Sequence, residues 1–119
     1  MTYIDGFVIP VPANNRDAYL EMAKLAAQVF LDHGALRVVE TWADDIKPGK
    51  VNDFRSAVIA KADEQIVFSW IEWPSKEARD TGSHKAMNDP RMNIEGEHPF
   101  SGERLIYGGF DPILDVSAK

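Results

Sequence analysis

The sequence contains no cysteine, and this absence sets the first limits on its chemistry. A chain without cysteine has no disulfide scaffold, zinc–cysteine site, iron–sulfur cluster or thiol nucleophile. Basic residues are also few, because 13 Lys and Arg stand against 19 Asp and Glu, for a formal net charge of -6. An acidic surface repels phosphate, so we expect no nucleic-acid partner.

Long apolar runs are missing too. No stretch approaches the roughly 20 residues that a membrane helix needs, and the N-terminus lacks a basic segment followed by an apolar core. These features predict a cytoplasmic protein without a membrane partner. The 119 residues suffice for one hydrophobic core and contain no linker or internal repeat. We therefore expect a single domain over residues 1–119.

Apolar periodicity predicts four strands and two helices. Aromatic and β-branched residues predict a first strand over 3–11, and Pro10 suggests that this strand is at an edge or at its end. Helical spacing predicts a first helix that ends near His33, with Gly34 as its stop. The other predicted elements are strands over 36–43, 66–73 and 104–110, a turn-rich loop over 44–54, a short apolar piece over 57–60 and a helix from Ser75 to about Met87, which Asp89-Pro90 breaks.

The element order β-α-β-β-α-β predicts a ferredoxin-like α+β fold, a four-stranded antiparallel sheet with two helices on one face. Both faces of this sheet are apolar: Phe68 and Trp70 point one way, and Val67 points the other. A monomer would leave a large apolar patch in water. We expect a homodimer that packs sheet against sheet about a two-fold axis. The alternative is that segment 44–55 folds back over the open face.

Several motifs resemble one known family. They are YIDGFVIPVP, HGAL, ADDIKPGKV, VFSWI, NDPRM and IYGGFDPI, and they extend over most of the chain. This set is similar to the bacterial domain-of-unknown-function family 1428. The resemblance implies a dimeric α/β-barrel of the ferredoxin-like type and no particular activity. The wider superfamily includes cofactor-free monooxygenases, haem-degrading enzymes, dehydratases and ligand-sensing domains, whose catalytic motifs cannot be placed on this sequence.

Polar side chains within apolar strands are the first candidates for chemistry. A carboxylate buried there must be paired or hydrogen-bonded, or its pKa rises and it becomes a candidate general base. We predict Asp5, Glu40 and Tyr107 as catalytic residues, together with His84, which the second helix could turn inward as a base or haem ligand. The alternative is that each of these side chains is structural, bonded to backbone or placed at the dimer interface.

Aromatic residues on two strands suggest a ligand pocket. We predict Trp42, Ser69 and Trp70 as ligand-binding residues, whereas the alternative places the tryptophans in the core or the dimer interface. A divalent metal is a weaker alternative, with Glu40, Asp44 and Asp45 as oxygen ligands near His33 or His84. Because paired aspartates commonly begin a solvated turn, we predict no metal and no cofactor.

These observations leave three functions open. The first is a cofactor-free enzyme that acts on a small aromatic or carbonyl compound. The second is a non-catalytic module that binds a small ligand or serves a stress response, and the third is a dimeric interaction domain. An enclosed cavity near Glu40, Trp42, Trp70 and Tyr107 would support the first two, and a filled, dry interface would support the third.

Overall fold

A computed structural model describes residues 2–93, 96 and 98–118 and shows a four-stranded antiparallel sheet with two long helices on one face. The elements are β1 (Tyr3–Pro12), α1 (Arg16–Asp32), β2 (Arg37–Trp42), α2 (Phe54–Ala57), β3 (Glu64–Trp73), α3 (Lys76–Met87) and β4 (Ile106–Phe110). The strand order is β2-β3-β1-β4. The predicted ferredoxin-like α+β fold is therefore confirmed. Within the described ranges, no helix has the length and apolar character needed to cross a membrane.

The end of α1 and both ends of α3 coincide with predicted signals. Gly34 follows α1 with a φ of 109°, a left-handed conformation that glycine adopts without strain. The Ser75 hydroxyl accepts a hydrogen bond from the Ala78 backbone N–H at 3.0 Å and caps α3. The 3₁₀ turn Pro90–Met92 follows α3, so the predicted break at this proline is confirmed.

Helix α2 lies where the sequence predicts a loop and a short apolar piece. Its start is a reciprocal cap: the Asp53 side chain accepts from the Ser56 backbone N–H at 2.7 Å, and the Ser56 hydroxyl accepts from the Asp53 N–H at 3.0 Å. Four residues are too few for apolar periodicity to reveal a helix. The cap alone could have indicated it.

Strand β1 is central and not at an edge, so of the two predicted places for Pro10 the structure shows the second, near the end of the strand. Pairing between β1 and β4 stops at Val8 and Ile106, and only β3 continues alongside Pro10. The backbone groups of odd-numbered residues of β1 point toward β3 and hydrogen-bond to it. The bond from the Ala13 N–H to the Asp63 carbonyl continues the same register and shows this. Proline thus stands where β4 has already ended, and its missing N–H removes no ladder bond.

The core lies between the sheet and α1 and α3. Trp73 is fully buried and contacts Phe30 edge to face, with ring centroids 6.1 Å apart. Gly82 of α3 is buried against the same indole. A Cβ added there would lie 2.4 Å from Trp73 Cζ3 and 2.4 Å from the His33 carbonyl oxygen, so only glycine permits this approach.

The start of β3 is tied to the segment before β4 by a buried ion pair. Both guanidinium nitrogens of Arg104 donate to Glu64, at 2.7 and 2.6 Å. Glu64 also accepts from the Lys61 backbone N–H at 2.6 Å, and Arg104 donates to the Ile59 carbonyl at 2.9 Å. These donors hold the pKa of Glu64 at about 2.

The sheet face opposite the helices is apolar, as the alternation of side chains predicts. Gly6 and Gly108 are paired in its middle, and their missing side chains leave a groove of about 700 Å³. We call this surface the open face. Its apolar lining residues include Ile4, Val8, Phe68, Trp70, Ile106 and Phe110.

Segment 44–55 covers only one corner of the open face. Phe54 packs edge to face on Phe68, with ring centroids 6.0 Å apart. Phe68 nevertheless stays 45% exposed, and Phe110 stays exposed as well. The alternative that this segment folds back over the whole face therefore does not hold within a single chain.

Candidate functional site

A glutamate, a tyrosine and a serine meet between β2, β3 and α1. Glu40 and Ser69 are register partners on neighbouring strands, and both point toward the helices. The Tyr19 hydroxyl, from the buried stripe of α1, donates to Glu40 Oε1 at 2.6 Å. The Ser69 side chain faces the same side of the sheet beside Glu40 and helps to lower the pKa of the carboxylate. Three elements thus hold one carboxylate in place.

The environment of this cluster changes two pKa values. Glu40 lies on the edge strand β2 and is exposed as a residue, but desolvation of its carboxylate beneath α1 raises its pKa, and the Tyr19 and Ser69 side chains oppose this rise in part. Burial, together with the adjacent carboxylate, raises the pKa of Tyr19 far above its ordinary value. Tyr19 therefore remains a protonated donor, and Glu40 is the group whose proton can be exchanged.

Glu40 lines two small cavities, and we call the pair the sheet–helix cavity. The inner part holds about 120 Å³ under α1, and the outer part holds about 140 Å³ toward the edge of the sheet. The inner part is lined by Phe7, Ile9, Ala26, Ala27, Phe30, Val38, Glu40, Ser69 and Ile71. Its walls are apolar apart from Glu40 and Ser69, so Glu40 is the one acid in an otherwise apolar lining.

The outer part has an aromatic and cationic rim. Trp42, predicted as a ligand-binding residue, lines it beside Glu40 and Tyr19. The Arg16 guanidinium stands 5.8 Å from the centre of the Trp42 ring, within the range of a cation–π contact. This arginine is exposed and supplies a positive charge at the mouth.

Trp70 does not join this cluster. It lies on the open face, and its indole N–H donates to Glu72 at 3.0 Å. Trp42 and Ser69 face the helices, as the register of β2 and β3 requires. The single cavity shared by Glu40, Trp42, Trp70 and Tyr107 is therefore not formed, because the sheet separates Trp70 from Glu40 and Trp42, and Tyr107 lines the open-face groove with Trp70.

Asp5 is engaged in a buried structural network at the other end of the sheet. Its Oδ2 accepts from the Trp73 indole N–H at 2.9 Å, and its Oδ1 accepts from Arg79 Nε at 3.0 Å. Arg79 also stacks over Tyr3 at 5.1 Å. Both oxygens of Asp5 thus have partners, as a buried carboxylate needs.

The remaining candidates lie outside the sheet–helix cavity. Tyr107 is on the helix side of β4, where it stacks on Phe7 at 6.1 Å and stays 75% exposed. His84 is exposed on α3, so the expectation that it faces inward is wrong. Asp44 and Asp45 are exposed in the loop after β2. Among the residues whose positions are known, no three His, Asp or Glu side chains are grouped to hold a metal.

Sequence reasoning did not identify Tyr19 or Arg16 as site residues. Tyr19 occupies an apolar position in the helical pattern of α1, where an aromatic ring predicts core. Its hydroxyl was the available signal, since a buried tyrosine hydroxyl needs a partner and Glu40 is a strand acid on the facing side. Arg16 begins α1 and looks like an ordinary surface cation.

The fold and the cluster together define a ferredoxin-like protein with a small cavity between its sheet and its first helix. The family model described as "Protein of unknown function (DUF1428)" matches residues 2–102. The chain belongs to this family, which confirms the resemblance carried by its motifs. The uncharacterised protein YbaA of Escherichia coli (strain K12) is 59% identical over 116 residues, 97% of this chain and 99% of the relative. YbaA of Shigella flexneri shows the same values.

Two solved structures are similar in fold. A point mutant of MhuD with two manganese protoporphyrin IX bound per active site has a TM-score of 0.65 and 16% identity, over 98% of this chain and 99% of that one. Rv0793 from Mycobacterium tuberculosis has a TM-score of 0.50 and 10% identity, over 98% and 100%. At these identities the likeness shows the fold alone.

Proposed function

We propose that the protein is a cofactor-free enzyme that acts on a small aromatic or carbonyl compound in the sheet–helix cavity. The observation that carries this proposal is the placement of Glu40 by Tyr19 and Ser69 in the wall of an otherwise apolar cavity. A carboxylate with a raised pKa is a stronger base than an ordinary glutamate. It can take a proton from a carbon beside a carbonyl group and return it.

The cavity also limits the size and charge of the compound. Pockets for drug-sized ligands measure roughly 300–1,000 Å³. The two parts here, of about 120 and 140 Å³, fit a single ring and a short side chain rather than a porphyrin of the kind bound to MhuD. Arg16 at the mouth favours an anionic group at the outer end of the compound.

Phenylpyruvate is a suitable probe, because it combines one ring, a keto group and a carboxylate. We expect the protein to speed the exchange of its methylene protons in D₂O, followed by proton NMR. Glu40→Gln should slow the catalysed exchange at least about 100-fold, the usual contribution of a general base. Glu21→Gln, a surface glutamate of α1 paired with Lys24, is the matched control and should leave the rate unchanged.

The outcome separates two functions. Binding of the probe at the cavity, seen as amide shifts around Ser69, without faster proton exchange would support a non-catalytic ligand-binding module. Two features favour the ligand-binding module: the walls of the inner cavity are apolar, and the raised pKa of Tyr19 keeps its hydroxyl protonated as a hydrogen-bond donor. Absence of both binding and exchange for a panel of single-ring keto acids and phenols would contradict the small-molecule proposal.

The raised pKa of Glu40 also predicts how its removal changes stability. A carboxyl whose pKa is higher in the folded state opposes folding once pH rises above its unfolded value near 4.5. Glutamine keeps an acceptor for Tyr19 and removes the partly desolvated charge. We therefore expect Glu40→Gln to unfold at the same or a higher temperature than wild type at pH 7, and at the same temperature near pH 4. A lower melting temperature at pH 7 would indicate a structural role for the carboxylate.

We further propose that two copies pair through the open face. Its exposed apolar side chains, Phe68, Ile106 and Phe110 among them, would otherwise stand in water. Phe68→Asp should convert a dimer into a monomer in light scattering after gel filtration. Leu25→Asp is the matched control, because Leu25 on α1 is 42% exposed against 45% for Phe68 but lies away from the sheet. Equal masses for both variants would contradict pairing through this face.

A further inference from the structure

The chain continues beyond β4 as an apolar arm, residues 111–118. Pro112 cannot donate to a ladder and marks the point where the strand has ended. In the arm, Ile113 is 98% exposed, Leu114 76% and Val116 79%. Three exposed aliphatic side chains within four residues are unfavourable in water, because the hydrophobic effect favours removing apolar surface from it. Such an arm needs a surface to cover it.

A matching surface lies elsewhere on the open face. A pocket of about 170 Å³ opens between the end of β2, the following loop and the start of α2. We call it the corner pocket. Its apolar lining includes Ile46, Phe54, Ile66 and Phe68. The volume suits one or two branched aliphatic side chains. We propose that the arm of one copy docks in the corner pocket of a second copy.

The positions of arm and pocket make this exchange reciprocal. The arm leaves β4 at one edge of the sheet, beside Ile4 at the start of β1. The corner pocket lies at the other edge, beside β2, and at the opposite end of the strands, where Trp42 pairs with Val67. Arm and pocket thus occupy diagonally opposite corners. A two-fold axis along the other diagonal brings each arm onto the partner's pocket, with strands crossing near 90°.

The area of the open face supports the same conclusion. Four strands about 4.8 Å apart and about eight residues long cover only roughly 500 Å². A stable interface buries roughly 800 Å² on each partner. The sheet face alone gives a small interface, and an arm of eight residues, up to about 26 Å when extended, would add to the surface that each partner buries. The inference rests on the face-to-face pairing proposed above and adds the contact that completes it.

The absence of cysteine permits a direct test by disulfide trapping. One sample of the chain carries Leu114→Cys and another carries Phe54→Cys. After mixing and mild oxidation, peptide mass spectrometry should find the mixed disulfide as the main cross-linked product. Leu25→Cys replaces Phe54→Cys in the control mixture and should give at most a tenth of that yield. A yield equal to the control would overturn the proposal.

Sedimentation equilibrium separates failure of the arm from failure of the pairing. Leu114→Asp should raise the dimer dissociation constant at least about 100-fold, since each dimer holds two arms and the substitution removes a buried leucine from both. A wild-type dimer with an unchanged constant in Leu114→Asp would overturn arm exchange and leave the pairing intact. A wild-type chain that stays monomeric at high concentration would overturn both.

Discussion

Replacing Gly82 with alanine is expected to lower the free energy of unfolding by about 3 kcal/mol, at the upper end of what overpacking costs. The new methyl group would lie 2.4 Å from the His33 carbonyl oxygen and 2.4 Å from Trp73. Neither neighbour can yield, because the first is backbone and the second is a fully buried indole held by Asp5. Helix α3 must then shift away from the sheet.

Urea unfolding followed by tryptophan fluorescence measures this effect, because Trp73 itself reports the docking of α3. Gly102→Ala is the matched control, since a Cβ at that position meets no atom within 4 Å. Its free energy of unfolding should stay within about 0.5 kcal/mol of wild type. If Gly82→Ala unfolded at the same urea concentration as wild type, the close approach of α3 to Trp73 would be contradicted.

The second large effect is expected for Glu64→Gln, which should destabilise the fold by about 3 kcal/mol at pH 7. The Glu64 side chain is only 4% exposed, and it accepts hydrogen bonds from both terminal nitrogens, Nη1 and Nη2, of the Arg104 guanidinium. Glutamine removes the charge and leaves that guanidinium half-buried without a counter-ion. Glu103→Gln, which changes an exposed neighbour, is the control and should alter the unfolding free energy by less than about 0.5 kcal/mol.

The same ion pair predicts an acid limit to stability. The pKa of Glu64 is about 2 in the folded protein against 4.5 as its ordinary value. A lowered folded pKa contributes stability that is complete above the unfolded value, and that contribution is lost as pH falls from about 4.5 to about 2. The difference between wild type and Glu64→Gln should therefore shrink steadily across this window. A constant difference down to pH 2 would contradict the assignment of the shift to Glu64.

Much of the fold could be predicted because its signals are local. Alternating side chains in β3 and helical spacing in α1 come directly from periods of two and 3.6 residues. The ends of the helices follow from Gly34, Ser75 and Pro90, whose backbone preferences act within a few residues. The place of Pro10 in a central strand was not predictable, because it depends on where β4 stops.

The candidate site could be predicted only in part, because it depends on contacts between distant residues. Glu40 and Trp42 were recognised from their types and positions in a strand. Their common face with Ser69 depends on the register of β2 against β3, which no local pattern contains. Tyr19 lies 21 residues from Glu40, and its role appears only when α1 packs on the sheet.

Both outer strands of the sheet are short, and that has a consequence for aggregation. Strand β2 has six residues, and β4 has five, two of which are glycines. Lateral addition of sheets at such edges would continue without limit and build a fibre, and natural proteins discourage it with short and interrupted edge strands. Contact through a face about a two-fold axis ends after two copies. The pairing proposed for the open face would therefore let the protein cover a large apolar surface without forming filaments.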